Sequence, residues 1–227
     1  MPHLRRWMSA LGAHLTQHWV RHLLPLAVML IMMVLFGWTL LAFYAVIFGG
    51  TMLLLAMELE TAAMICFFGV AALGSFTMML YHLAGATLTL GYMRFTLRLQ
   101  QGHDTSWREL LWGFRHPLRA AGLILFVLFI VFASAGLMYL PLIFLGGWLL
   151  LTGPSLVDGD IGLFGALGRA WALSGRVYGE LLVLVLGLVG VGLFVGFFPI
   201  VGPVLVPVAA VIAGVVVYDS LRRPPAA

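Results

Sequence analysis

Three histidines stand at positions 14, 18 and 22, each one helical turn after the last. Imidazoles at i and i+4 project from one face of a helix and can share a metal ion, so His14 and His18 form the candidate metal pair. No acidic or cysteine partner adjoins them, and three ligands spread over two turns cannot normally all reach one ion. Histidines of an amphipathic helix at a membrane surface are the competing reading. His82 is the second candidate, because an ionisable group inside a long apolar run is a functional position by default. It can ligate a cofactor, relay a proton or hydrogen-bond a neighbouring helix, and the last is the ordinary role. Asp158 and Asp160 flank Gly159 in an acidic turn whose ligand set is too short for a calcium loop. The sequence has no Ser-His-Asp order, no phosphate-binding glycine loop and no HExxH. The expectation is of a protein with no catalytic residues and no bound cofactor.

The elements that must position these residues are membrane helices. Of 227 residues, 63% are hydrophobic and 9% charged, and the mean hydropathy is +1.11. A soluble domain of this size cannot bury so much apolar surface. Cys66 is the only cysteine, which excludes an internal disulfide. The net charge of +4 does not point to nucleic acid, since no basic cluster is interleaved with aromatics on a soluble module. All twelve basic residues are arginine, and none lies inside the long apolar stretches. Absence of lysine beside abundant Ala, Gly, Leu and Arg is the composition of a GC-rich bacterial genome.

Hydropathy predicts an all-α, polytopic membrane helix bundle of about six transmembrane helices, at 23–48, 61–92, 121–140, 141–157, 181–198 and 201–218. The first run is too long for a signal-peptide core and reads as an uncleaved span. Prolines at 141, 199 and 203 fit tight hairpin joints. With six spans every arginine falls on one side, and the opposite side holds only Glu58 and Glu60. The positive-inside rule then places both termini in the cytoplasm. Residues 1–22 are expected to form an N-terminal amphipathic interfacial helix, with Leu4, Trp7, Met8, Leu11, Leu15, Trp19 and Leu23 on its apolar face. Residues 23–227 form a single transmembrane domain. Two more cytoplasmic amphipathic helices are expected, at 106–118 (apolar face Trp107, Leu110, Leu111, Phe114) and 161–178 (stripe Phe164, Leu167, Trp171, Ser174). Gly187, Gly190, Gly192, Gly196, Gly202 and Gly214 read as a packing surface, since small residues let helices approach in lipid.

Two segments carry a resemblance: GYMRFTLRLQQGHDTSWRELLWGF at 91–114 and GALGRAWALSGRVYGELL at 165–182. With them the chain resembles uncharacterised six-span bacterial inner-membrane proteins of the YciC-like family. It is also similar to the membrane portion of some glycerophosphodiester phosphodiesterases. The resemblance covers roughly 75–218. It departs in the fourth span, where Gly146-Gly147 and Gly153-Pro154 stand in place of the usual Pro-Gly. It implies a fold and a bacterial inner-membrane location, and it transfers no catalytic residues.

The function expected is that of a non-enzymatic integral membrane protein that binds or organises lipid or a membrane partner. The alternatives are an accessory subunit of a larger membrane complex and a small-solute transporter or channel. His82, Thr77, Thr87 and Thr89 are a thin polar supply for a solute path. The partners expected are anionic lipids and a membrane-protein complex, with no nucleic acid. The contacts to lipid headgroups or a partner fall to Arg5, Arg6, Arg21, Arg94, Arg98, Arg108, Arg115, Arg119, Arg169 and Arg176. A topology reporter fused after Glu60 should read periplasmic and one after Arg119 cytoplasmic. The reverse pattern would sink this arrangement.

Overall fold

The computed structural model describes residues 2–135, 140–159, 161–196 and 202–223, and among them every regular element is helical. Helix α1 runs unbroken from Pro2–Ala56 and α2 from Glu60–Gln100. A 3-10 turn (Trp107–Leu111) leads into a one-turn α3 (Trp112–Arg115). Then come α4 (Pro117–Ala135), α5 (Leu140–Asp158), α6 (Leu163–Gly175), α7 (Tyr178–Gly196) and α8 (Gly202–Arg222). Glu60–Gln100, Pro117–Ala135, Tyr178–Val195 and Leu205–Arg222 are long and apolar enough to cross a membrane. Of the shorter apolar stretches, Ile143–Asp158 falls where the fourth span is expected, and Leu41–Ala56 overlaps only the end of the expected first span, 23–48. The chain is thus a helical membrane protein with four helices of membrane length among the described residues. The joints expected near Pro141 and at 198–203 fall largely outside them.

Helices α1 and α2 form one long antiparallel hairpin. Its register is marked by His22 against Tyr92, Phe43 against Gly74 and Gly50 against Cys66. Its turn is a Schellman closure: Leu59 N–H donates to the Leu54 carbonyl and Glu58 N–H to that of Leu55, with Glu58 at φ 59°. A left-handed residue is normally glycine at this position, so Glu58 holds strained backbone. The C-terminal end of α2 closes the same way without strain, with Gly102 at φ 78° and His103 N–H donating to the Arg98 carbonyl.

The boundary expected at residue 22 lies within α1, whose N-terminal part packs on α7 and α8. Pro2 starts the helix where a missing N–H costs nothing, and Glu180 of α7 accepts the free Leu4 N–H at 2.8 Å. Trp7 is buried in the core. Met8, Leu15, Trp19 and Leu23 instead line an open apolar groove of about 780 Å³ against α7 and α8. The amphipathic helix expected at 106–118 is a 3-10 turn followed by α3, and the change of pitch rotates its faces. Leu110 and Trp112 are buried, whereas Trp107, Leu111 and Phe114 are exposed. In α6 the expected stripe divides: Leu167 and Ser174 face the core, and Phe164 and Trp171 point outward.

Two glycines let backbone touch backbone. A Cβ at Gly91 would overlap the Leu110 carbonyl, and one at Gly113 would overlap that of Thr87. These are the glycines that bound the 91–114 motif. In the expected packing surface, Gly214 lies against the Leu150 carbonyl and Gly192 makes ordinary contact with Val206, but Gly187 and Gly190 face open space. The surroundings of Gly196 and Gly202 fall outside the description. Gly91→Ala and Gly113→Ala should each destabilise the protein by about 1–3 kcal/mol, as overpacking against rigid neighbours does. Gly187→Ala should leave the thermal midpoint unchanged or slightly raised. Thermal unfolding in detergent checks this, and equal behaviour of all three would refute the packing account.

Candidate functional site

The densest polar arrangement in the interior links α1 to α2. His14 and His22 are 2% and 3% exposed, and their Nε2 atoms lie 2.9 Å apart. On the far side of His22, Nδ1 lies 2.9 Å from the Tyr92 hydroxyl. If that hydroxyl donates, His22 carries its proton on Nε2 and donates to His14. If Nδ1 donates instead, His14 Nε2 must be the donor. The chain of bonds is consistent in either direction. Tyr92 and Phe95 meet the His22 ring edge-on, at centroid separations of 5.8 and 6.1 Å.

Sequence spacing pairs His14 with His18, whereas the hydrogen bond joins His14 to His22, two turns on. His18 lies ring-to-ring with His14 at 5.1 Å, at the edge of the cluster and partly exposed. Among the described residues no group of three or more His, Cys, Asp and Glu side chains is placed to hold a metal ion. All three histidines precede the span expected from residue 23. Burial lowers the pKa of His14, with Gln100 opposing the shift and His18 adding to it. Burial, then the neighbouring His14 and His18, lower His22 from its ordinary 6.5 to about 4.

The arginines form a second arrangement, around the C-terminal ends of α2, α5 and α8. Glu109 of the 3-10 turn receives Arg94 at 3.0 Å and Arg98 at 2.7 Å. The buried Trp112 ring lies under Arg94, 4.7 Å from its centroid, with Arg119 at 5.6 Å and His116 stacked at 4.2 Å. Arg119 also donates to the Gly159 carbonyl. Asp158 at the end of α5 gathers Arg222, Arg169 and the Tyr218 hydroxyl, which joins α5, α6 and α8. A carboxylate so occupied is no cation site, and Asp160 lies outside the described residues. Arg223 pairs with the buried Asp219 at 2.7 Å. Arg21 is 3.9 Å from a fully exposed Asp104, a contact worth little in water. Arg5, Arg6, Arg108, Arg115 and Arg176 are exposed and make no ion pair among the described residues.

His82 faces outward from α2 and makes no hydrogen bond among the described residues. It borders a cavity of about 830 Å³ with Phe43, Gly74 and Leu125, and one of about 350 Å³ with Thr89 and Leu123. The helix-to-helix hydrogen bond expected of it is not made there. Compared with protein-family models, curated proteins and solved structures, the chain matches none.

The lowered pKa values mean that the folded state binds fewer protons than the unfolded chain between about pH 6.5 and 4. Stability is therefore full above pH 6.5 and falls as the pH drops toward 4. The thermal midpoint should decline over this window, and His22→Gln should flatten the decline. Equal slopes for both proteins would refute the assignment.

Proposed function

We propose that the protein is a non-enzymatic, six-span bacterial inner-membrane protein of the YciC-like kind, with both termini cytoplasmic, that binds anionic lipid at its inner face. The observation that carries this reading is the exposed stripe Trp107, Leu111, Phe114 and Leu118, with unpaired Arg108 and Arg115 beside it. Exposed apolar side chains beside guanidinium groups match a headgroup layer: the rings enter the acyl boundary and the arginines meet phosphate. Arg176 near Trp171, and Arg5 and Arg6 on the first turns of α1, extend the same chemistry. Arg94, Arg98, Arg119 and Arg169 have partners within the protein, and Arg21 makes only its weak contact with Asp104.

The accessory-subunit reading is favoured by the α1–α2 hairpin. No charge interrupts the chain between Arg21 and Glu58, or between Glu60 and Arg94. Each run is about 50 Å of helix, against about 30 Å of hydrocarbon. Within α2, the most apolar stretch is only 6% buried. A larger complex would cover both that surface and His82.

Native mass spectrometry from nanodiscs of mixed anionic and zwitterionic lipid tests the first reading. Wild type should retain anionic lipid selectively, and the Arg108→Gln/Arg115→Gln variant should retain severalfold less while unfolding at the same temperature. Equal retention would overturn it. A stoichiometric protein partner in place of lipid would move the assignment to the accessory subunit.

A further inference from the structure

The apolar groove between the N-terminal arm of α1 and helices α7 and α8 is held open by its own walls. The arm is fixed on either side of it, by the Leu4 N–H on Glu180 and by His22 on Tyr92. Trp7, Leu181 and Val208, on adjoining faces of the same three helices, are buried. Met8, Leu15 and Trp19 of α1, Val183 and Val191 of α7 and Leu205 of α8 line the groove and stay exposed. Gly187 lies on the α7 wall, and a Cβ added there would meet nothing within 4 Å. The small residue therefore leaves space here instead of bringing two helices together, which is its usual use in lipid.

Size and polarity select the occupant. The groove holds about 780 Å³, within the range of sites for small ligands. A helix about 10 Å across, lying along the roughly 18 Å of α7 between residues 183 and 195, needs about 1,400 Å³. A partner helix or a helix of a second copy does not fit between these walls. A polar solute finds little to hold it. Among the described lining residues His22 is the only ionisable one, and both of its nitrogens are engaged. What fits is a flexible methylene chain. Both α7 and α8 are long and apolar enough to cross a membrane, so their shared groove faces acyl chains.

Charge selects the headgroup. At the Leu4 end of the groove, Arg5 follows Leu4 and is a helix neighbour of Met8 at i, i+3. Arg176 lies just before the start of α7, four residues ahead of Glu180. Both arginines are exposed and make no ion pair among the described residues, whereas Glu180 is engaged by the Leu4 N–H. Two unpaired guanidiniums near the mouth of an apolar groove complement a phosphate attached to an acyl chain.

We propose that this groove is a discrete lipid site, in which one acyl chain of an anionic phospholipid lies between α1, α7 and α8 with its phosphate at Arg5 and Arg176. The class of ligand rests on the lipid-binding reading, but the site uses none of the residues of the stripe at 107–118.

The test uses the full chain in nanodiscs that contain phosphatidylglycerol or, separately, phosphatidylcholine with a photoreactive diazirine in the acyl chain. Mass spectrometry then maps the labelled peptides. The phosphatidylglycerol probe should label residues 8–23 and 183–191 severalfold more than the exposed face of α4, and severalfold more than the phosphatidylcholine probe does. Neither comparison needs a variant. Gly187→Phe fills the space and should cut this labelling severalfold at an unchanged thermal midpoint. Arg5→Gln/Arg176→Gln should abolish the preference for phosphatidylglycerol without moving the labelled positions. Arg108→Gln/Arg115→Gln should leave groove labelling intact, so the stripe and the groove fail separately. Labelling spread evenly over the apolar surface overturns the proposal, as does equal labelling by the two probes or labelling that Gly187→Phe leaves unchanged. Groove peptides left unlabelled, the result if a second copy or another protein covers them, overturn it as well.

Discussion

The reciprocal contact of Gly91 with the Leu110 carbonyl and Gly113 with the Thr87 carbonyl fixes the end of the molecule where α2 meets the 3-10 turn. Backbone this close leaves no freedom of rotation to the 3-10 turn and α3. Glu109 is therefore set where Arg94 and Arg98 reach it, and Trp112 where Arg94 and Arg119 lie over its ring. The same clamp turns Trp107, Leu111 and Phe114 outward, because the side chains between them on the helix surface are the ones driven inward. One steric condition thus generates both the ionic knot and the apolar stripe. Neither glycine does so by conformational freedom; what each supplies is the absence of a Cβ.

A second constraint concerns charge. A guanidinium at the edge of hydrocarbon needs either water, phosphate or a carboxylate. Glu109, Asp158 and Asp219 between them engage five arginines. Glu109 ties α2 to the 3-10 turn and Asp158 ties α5 to α6 and α8, whereas Asp219 pairs locally with Arg223 at the end of α8. The positive excess is thus partly consumed in holding these helix ends together. Of the exposed arginines, Arg108 and Arg115 directly follow the exposed Trp107 and Phe114.

Much of the architecture was legible in the sequence. Long apolar runs between arginine-bearing segments announced membrane helices, and the glycines bounding the 91–114 motif drew attention to the segment that matters most. Faces were harder to read. In α1 the residues at 4, 7, 8, 11, 15, 19 and 23 make a plain apolar stripe, yet of these only Trp7 is tightly buried, together with His14 and His22 from outside the stripe. In a membrane protein an apolar stripe can face lipid or an open groove as readily as a core, because burial no longer follows hydrophobicity. The i, i+4 spacing favoured His14 with His18. Side-chain reach and the position of Tyr92, seventy residues away, decided for His22 instead. Arginine pairing was hidden for a related reason: the sequence places Glu109 among basic residues but does not show that a 3-10 turn folds it back onto α2.

The α1–α2 hairpin brings these constraints into conflict. A charge-free run of about 50 Å, crossing about 30 Å of hydrocarbon, would need a tilt of about 50°, beyond the 0–40° that membrane helices usually adopt. Pro25 removes one backbone donor within α1, a place where a helix bends readily. A bend there would let the C-terminal arm lean while the N-terminal arm stays packed on α7 and α8. The buried histidines lie on the N-terminal side of that point, and their bonds to each other and to Tyr92 of α2 resist shear between the two helices. Polar groups in a dry interior are retained when they fix a register that apolar packing leaves free to slide. Leucine and valine on a smooth membrane hairpin leave it free in this way, and the histidine chain sets it at one end.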